Sequence, residues 1–205
     1  ITLAGLTATA TATHPFEDFQ RVDWNDCTGA DCLTPKGFTL ARVRLAEGAF
    51  LDLYNVHANA DVTDAALAAR RANIEQLSDF IQTTSAGNAV IVMGDTNTRY
   101  TREGDNIRTL TEENGLTDPW VELVRGGEPP AQGDEALVCD AQAPTDACEV
   151  VDKILYRDGP LLDLAATRYH NDWEAFLRED GEHLSDHFPH TVGFSWTLAD
   201  GLRAG

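Results

Sequence analysis

Apolar residues recur along this chain with two periods, and the periods divide it into strands and helices. Residues 38–45 alternate, with Phe38, Leu40, Arg42 and Arg44 on one face and Thr39, Ala41, Val43 and Leu45 on the other. Residues 50–56 follow after Glu47-Gly48, so the two runs predict an antiparallel hairpin. From Asp64 the spacing changes to helical, with Leu67, Ile74, Leu77 and Ile81 on one face and Arg70, Arg71 and Glu75 opposite, ending at Gly87. Residues 89–93 are continuously apolar, as in a strand buried on both faces. Residues 150–156, 161–167 and 191–196 read as three further strands.

Breakers and caps fill in the rest. A short helix is predicted over 107–113, stopping at Gly115; another has Asp118 as its cap, Pro119 in its first turn and Gly126 beyond its end. A helix over 173–179 is capped by Asp172. Residues 1–13 read as a strand or a loose arm, and residues 14–37 and 126–148 as long loops. Strands with interposed helices but no regular βα alternation predict an α+β sandwich with helices on its outer faces. The 205 residues suit one domain, and no stretch is long and apolar enough to span a bilayer.

The charge is lopsided. Acidic residues number 34 and basic ones 15, a net charge of -19, and the only lysines are Lys36 and Lys153. Such a surface disfavours a tight, sequence-independent grip on nucleic acid, which depends on cations meeting phosphates. The four cysteines form two close pairs, Cys27 with Cys32 and Cys139 with Cys148, without the second ligand pair of a structural zinc site. Two local disulfides and an oxidising compartment are expected, although three pairings are formally open.

Polar residues with chemical potential stand at strand ends. Asp95 and Asn97 follow the apolar strand two apart, so in extended geometry they leave on one face; taken alone, Asp-x-Asn marks a turn. His187, in Ser185-Asp186-His187, can act as a general base if a carboxylate fixes its tautomer. Asp152, opening an apolar strand, can be that carboxylate, and His57 ends the strand that carries Asn55. His14, His170, His183 and His190 have no comparable setting.

Tyr54-Asn55-Val56-His57, Gly94-Asp95-Thr96-Asn97, Val151-Asp152-Lys153-Ile154 and Ser185-Asp186-His187-Phe188-Pro189 resemble, in that order, motifs of the endonuclease/exonuclease/phosphatase superfamily. The stretch from Asp31 to Phe38 is similar to the neutral sphingomyelinase branch. The resemblance implies a four-layer α/β/β/α sandwich of two mixed sheets, with residues 1–205 forming one domain. It makes His187 the base that activates water and Asp152 its partner. Asp95 positions the water or leaving group, Asn97 and His57 bind phosphoryl oxygens, and Asp186 with Asp95 lies at a site for Mg2+, Mn2+ or Ca2+. A metal-binding Glu and early strands are expected upstream, in an N-terminal part that this chain lacks or that another fragment supplies. The implied function is a secreted, metal-dependent phosphodiesterase acting on a phospholipid head group or a small phosphate ester. The alternatives are a deoxyribonuclease-like nuclease, or an inactive domain serving as a binding scaffold.

Overall fold

The computed structural model describes residues 16–140, 143–200 and 202, so the reading of residues 1–13 lies outside the described residues. Five strands form one sheet in the order β1 (Phe16–Asp23), β2 (Gly37–Ala46), β3 (Ala49–His57), β4 (Ala89–Asp95) and β5 (Asp152–Arg157). The β3–β4 pair is parallel and the other pairs are antiparallel, which makes the sheet mixed. The parallel pair needs a crossover, and α1 (Asp64–Thr84) supplies it. Strands β6 (Leu162–Asn171) and β7 (His190–Leu198) form a second, antiparallel sheet.

Alternation in the central strands feeds two cores. Phe38, Leu40, Tyr54, Val56, Val90, Val92 and Leu155 point to one face, where they meet Ile74, Leu77 and Ile81 of α1 and Leu110 of α2 (Arg108–Asn114). Ala41, Val43, Leu53, Ile91, Met93 and Tyr156 point to the other face and meet Leu162 and Leu164 of β6. The architecture is therefore α+β, with two sheets packed face to face and helices on the outer face of the larger one. Residues at the ends of β3, β4 and β5 that share a face with Leu53 and Met93 emerge at the rim where the two sheets meet.

Local chemistry sets the helix ends. Thr63 Oγ1 accepts the Ala66 amide at 3.2 Å to start α1, and Gly115 closes α2 in the left-handed region (φ 63°). Asp118 Oδ1 accepts the Trp120 amide at 2.9 Å, but the turn it opens, Trp120–Val124, is a short π-helical one.

Three readings require correction. The loop expected over 14–37 contains β1 and a 3-10 turn, Gly29–Leu33. An edge strand is defined by its hydrogen bonds to β2, and Glu17, Asp18, Arg21 and Asp23 disguise it because that edge needs little apolar surface. The helix expected over 173–179 is only a 3-10 turn, Trp173–Ala175, and Asp172 does not cap it; its Oδ2 instead accepts Thr191 Oγ1 at 2.7 Å. Arg70, expected on the solvent face of α1, is 1% exposed. Its guanidinium donates twice to Asp105 Oδ1, at 2.8 and 2.9 Å, and once each to the carbonyls of Asn59 and Asp61. Burial of the charge is tolerated because the pair satisfies it.

Candidate active site

His57, Asp95 and Asp152 occupy one rung of the sheet. His57 pairs with Asp95 across the parallel β3–β4 ladder, and Asp95 with Asp152 across the antiparallel β4–β5 ladder. Rung neighbours share a face, so an imidazole and two carboxylates emerge together on the side facing the second sheet. Gly94 makes the close pairing possible. Its φ is 128°, and a Cβ there would lie 2.2 Å from the Val56 carbonyl oxygen.

The segment before β7 brings the fourth group. His187 Nδ1 lies 2.7 Å from Asp152 Oδ2, while its Nε2 is 4.0 Å from Asp95 Oδ2. His57 Nε2 approaches the same Asp95 oxygen at 3.4 Å. The Asp95, Asp152 and His187 ligand atoms all lie within 4.8 Å of one another. Asp186 is exposed and is not brought into this group.

Asn97 reaches the site by a turn, not in extended geometry. It sits in the left-handed region (φ 54°), its backbone amide donates to Asp95 Oδ1 at 2.8 Å, and its Nδ2 donates to Asp95 Oδ2 at 3.0 Å. Nδ2 also donates to the Ala58 carbonyl at 3.1 Å, so both of its hydrogens are engaged and Asp95 is held from two directions.

The charges act on one another. Burial, followed by repulsion from Asp152, pushes the Asp95 carboxyl above its usual range, while the Asn97 amide and the two imidazoles oppose the shift. Partial burial disfavours the His187 imidazolium, but the hydrogen bond and charge of Asp152, with Asp95, outweigh it and raise the pKa above the ordinary 6.5. His57 is lowered by burial and by Lys36, against the pull of Asp95.

Several supporting residues escaped the sequence reading. Trp24 Nε1 donates to the His57 carbonyl at 2.8 Å, Asp31 Oδ2 accepts the Ala60 amide at 2.6 Å, and Lys36 Nζ pairs with Asp31 Oδ1 at 2.8 Å. Asp31 and Lys36 fall within the Asp31–Phe38 stretch that carried the resemblance, whereas Trp24 had no sequence signal. On the far side of β5, Lys153 is buried against the Tyr100 ring, donates to the Val150 carbonyl and feels Asp118 and Glu149. Glu149 in turn accepts from Tyr100 and Thr101, which ties β5 to the loop after Asn97. Of the histidines given no role, His14 lies outside the described residues, and His170 sits 3.3 Å from Asp146 and 3.8 Å from Asp172.

A model of Endonuclease/Exonuclease/phosphatase family 2 matches residues 7–144. The chain belongs to this family. Asp152 and His187 lie beyond the matched segment, so their place in the site rests on the geometry above. A sphingomyelinase of Mycobacterium tuberculosis is 39% identical over 186 residues, which cover 89% of this chain and 36% of that protein. The chain thus spans about a third of the length of the curated relatives it matches. Among solved structures, Danio rerio TDP2 complexed with a single-strand DNA product superposes with a TM-score of 0.60 at 17% identity, covering 90% of this chain and 70% of that one. A Staphylococcus aureus beta toxin mutant with bound magnesium ions superposes at 0.54 and 15% identity, covering 87% and 64%. Both likenesses concern the fold. The two disulfides, Cys27–Cys32 and Cys139–Cys148, are formed as the spacing suggested.

Proposed function

We propose that this family member is a divalent-metal-dependent phosphodiesterase, built on a single domain, in which His187 activates the attacking water. The observation that carries the reading is the 2.7 Å contact between His187 Nδ1 and Asp152, with Nε2 4.0 Å from Asp95. Asp152, as acceptor, keeps a proton on Nδ1 and so leaves the Nε2 lone pair free. The Nε2 to Asp95 distance exceeds a direct hydrogen bond and suits a water bonded to both. In hydrolysis that water's oxygen forms a bond to phosphorus, its proton passes to Nε2, and the phosphorus–ester oxygen bond breaks, the expelled oxygen taking a proton from solvent to leave as the alcohol. His57, half exposed beside Asp95, is the donor available to a phosphoryl oxygen, and Asn97 fixes the Asp95 carboxylate.

The donor set fits a hard cation. Asp95 and Asp152 offer carboxylate oxygens on one rung, and the repulsion that raises the Asp95 pKa is what a cation relieves. Mg2+, which keeps several waters, suits a site with two carboxylates; Mn2+ or Ca2+ has the same donor preference. When bound, the ion neutralises charge on the phosphoryl group. Asp186 stays outside the proposed ligand set.

The named activity of the curated relatives supports a phospholipid head-group diester as substrate, and the net charge of -19 counts against nucleic acid. Two disulfides support an extracytoplasmic setting. The test is turnover of sphingomyelin vesicles and of bis(p-nitrophenyl) phosphate with Mg2+ and with chelator. His187→Ala should reduce turnover by at least about 100-fold. Absence of metal-stimulated turnover of either diester would refute the reading.

A further inference from the structure

Among the described residues, two that are not glycine sit in the left-handed region, Asn97 (φ 54°) and Asp61 (φ 74°). Both lie in the turns that leave the active-site rung, Asn97 just after Asp95 and Asp61 just after His57. Such a residue turns its carbonyl away from the strand ladder, so that oxygen needs a partner of its own. Each is met by a guanidinium. Arg102 Nη1 donates to the Asn97 carbonyl at 2.7 Å, and Arg70 Nη1 donates to the Asp61 carbonyl at 2.8 Å.

One carboxylate joins the two guanidiniums. Asp105, in the loop before α2, takes Arg70 Nε and Nη2 on Oδ1, and on Oδ2 it takes Arg102 Nη1 at 3.0 Å and the Arg99 amide at 2.9 Å. These donors use the directions open to a carboxylate. The Asp105 and Arg70 side chains are fully buried, while that of Arg102 is 25% exposed. Arg70 also holds the Asn59 carbonyl at 3.1 Å. Ala58 closes the circuit, giving its carbonyl to Asn97 Nδ2 and its amide to the Asp95 carbonyl at 2.9 Å. The turn after β3 and the turn after β4 are thus bonded to each other and to one ion cluster. Burying a carboxylate between guanidiniums adds little net stability, because desolvation offsets the attraction. What the cluster supplies is direction, with charged N–H groups aimed at two strained carbonyls.

We propose that Asp105, with Arg102 and Arg70, is the positioning hub of the active site. Through Arg102 it holds Asn97 in the left-handed turn that aims both Asn97 donors at the Asp95 carboxylate, and through Arg70 it holds the turn that follows His57. None of the three side chains touches the reacting atoms; they act through Asn97 and the backbone. The consequence for turnover rests on the hydrolase reading, whereas the positioning of Asn97 does not.

NMR hydrogen exchange at the Asn97 side-chain amide tests the hub without requiring turnover. Arg102→Met removes the donor to the Asn97 carbonyl. Arg71→Met is the control, since Arg71 Nη1 donates to the Gly104 carbonyl of the same loop at 2.9 Å without bonding to Asn97. Exchange of the Asn97 Nδ2 hydrogens should quicken at least about tenfold in Arg102→Met and stay unchanged in Arg71→Met. In turnover of bis(p-nitrophenyl) phosphate, Arg102→Met should lower kcat about tenfold or more with KM held within about twofold. Unchanged exchange in Arg102→Met, equal quickening in Arg71→Met, or a raised KM at constant kcat overturns the proposal. Should Arg102→Met fail to fold, Arg102→Gln, whose shorter uncharged chain leaves Asp105 to Arg70 and the Arg99 amide, is read in its place. If the unmodified chain does not cleave the diester, the hydrolase reading fails, while the exchange result still decides the hub.

Discussion

Asp95 and Asp152 stand side by side on one rung of the β4–β5 ladder, two carboxylates whose backbones are fixed by strand pairing and whose oxygens are held by Asn97 and His187. The arrangement costs stability when both are ionised, and a divalent cation removes that cost. Added Mg2+ should therefore raise the melting temperature near neutral pH. At ten times its dissociation constant the gain is about 1.4 kcal/mol, or roughly 3–6 °C for a chain of this size. Asp95→Asn should abolish the shift, as differential scanning calorimetry with and without Mg2+ can show. An equal shift in the variant would place the cation elsewhere.

Because Asp152 and Asp95 hold the His187 pKa above 6.5, the base we propose is protonated at mildly acidic pH. Turnover should rise with pH through that pKa. Asp152→Asn should lower the pKa of His187 in the metal-free chain, measured by NMR titration, and reduce turnover sharply by removing the acceptor for Nδ1–H. The linkage has a definite sign. A histidine raised in the folded state contributes stability that is complete below its unfolded pKa and is lost as pH rises through the folded one. Removing Asp152 should flatten the stability profile in that window. An unchanged His187 pKa in Asp152→Asn would contradict the 2.7 Å contact.

Gly94→Ala should be among the most damaging small substitutions in the chain. The added Cβ would meet the Val56 carbonyl at 2.2 Å in a backbone region that disfavours side chains. A loss of about 2 kcal/mol or more is expected in urea unfolding. Activity should fall beyond the change in folded fraction, since the pairing that aligns His57 with Asp95 passes through this residue.

Opening either disulfide should lower stability by about 2–3 kcal/mol in the chain-entropy model. Cys27→Ser with Cys32→Ser should also loosen the loop that holds Ala60 and Asn59, while Cys139→Ser with Cys148→Ser leaves that loop intact. Mass measurement of the unreduced chain after alkylation should find no free thiols. Four alkylated cysteines would overturn the pairing.

What the sequence determined by itself was local. The β2–β3 hairpin, the apolar β4 and most of the inward face of α1 were legible because periods of two and of 3.6 residues record which faces are buried. The stop of α2 at Gly115 was legible because a helix end favours a residue free to enter the left-handed region. The order of the motif segments also carried the resemblance and the candidate residues, each at a strand end. Tertiary structure decided the rest. Neighbouring strands and their register are non-local, so nothing in the chain near Asp95 announces that His57 stands on one side of it and Asp152 on the other. His187 meets Asp152 from 35 residues away only because the turn before β7 folds across the rim of the larger sheet. Strand β1 and the buried Arg70 were misread for the same reason: hydrogen bonds to β2 define the first and a partner 35 residues distant satisfies the second, and neither leaves a mark in the local pattern of apolar residues.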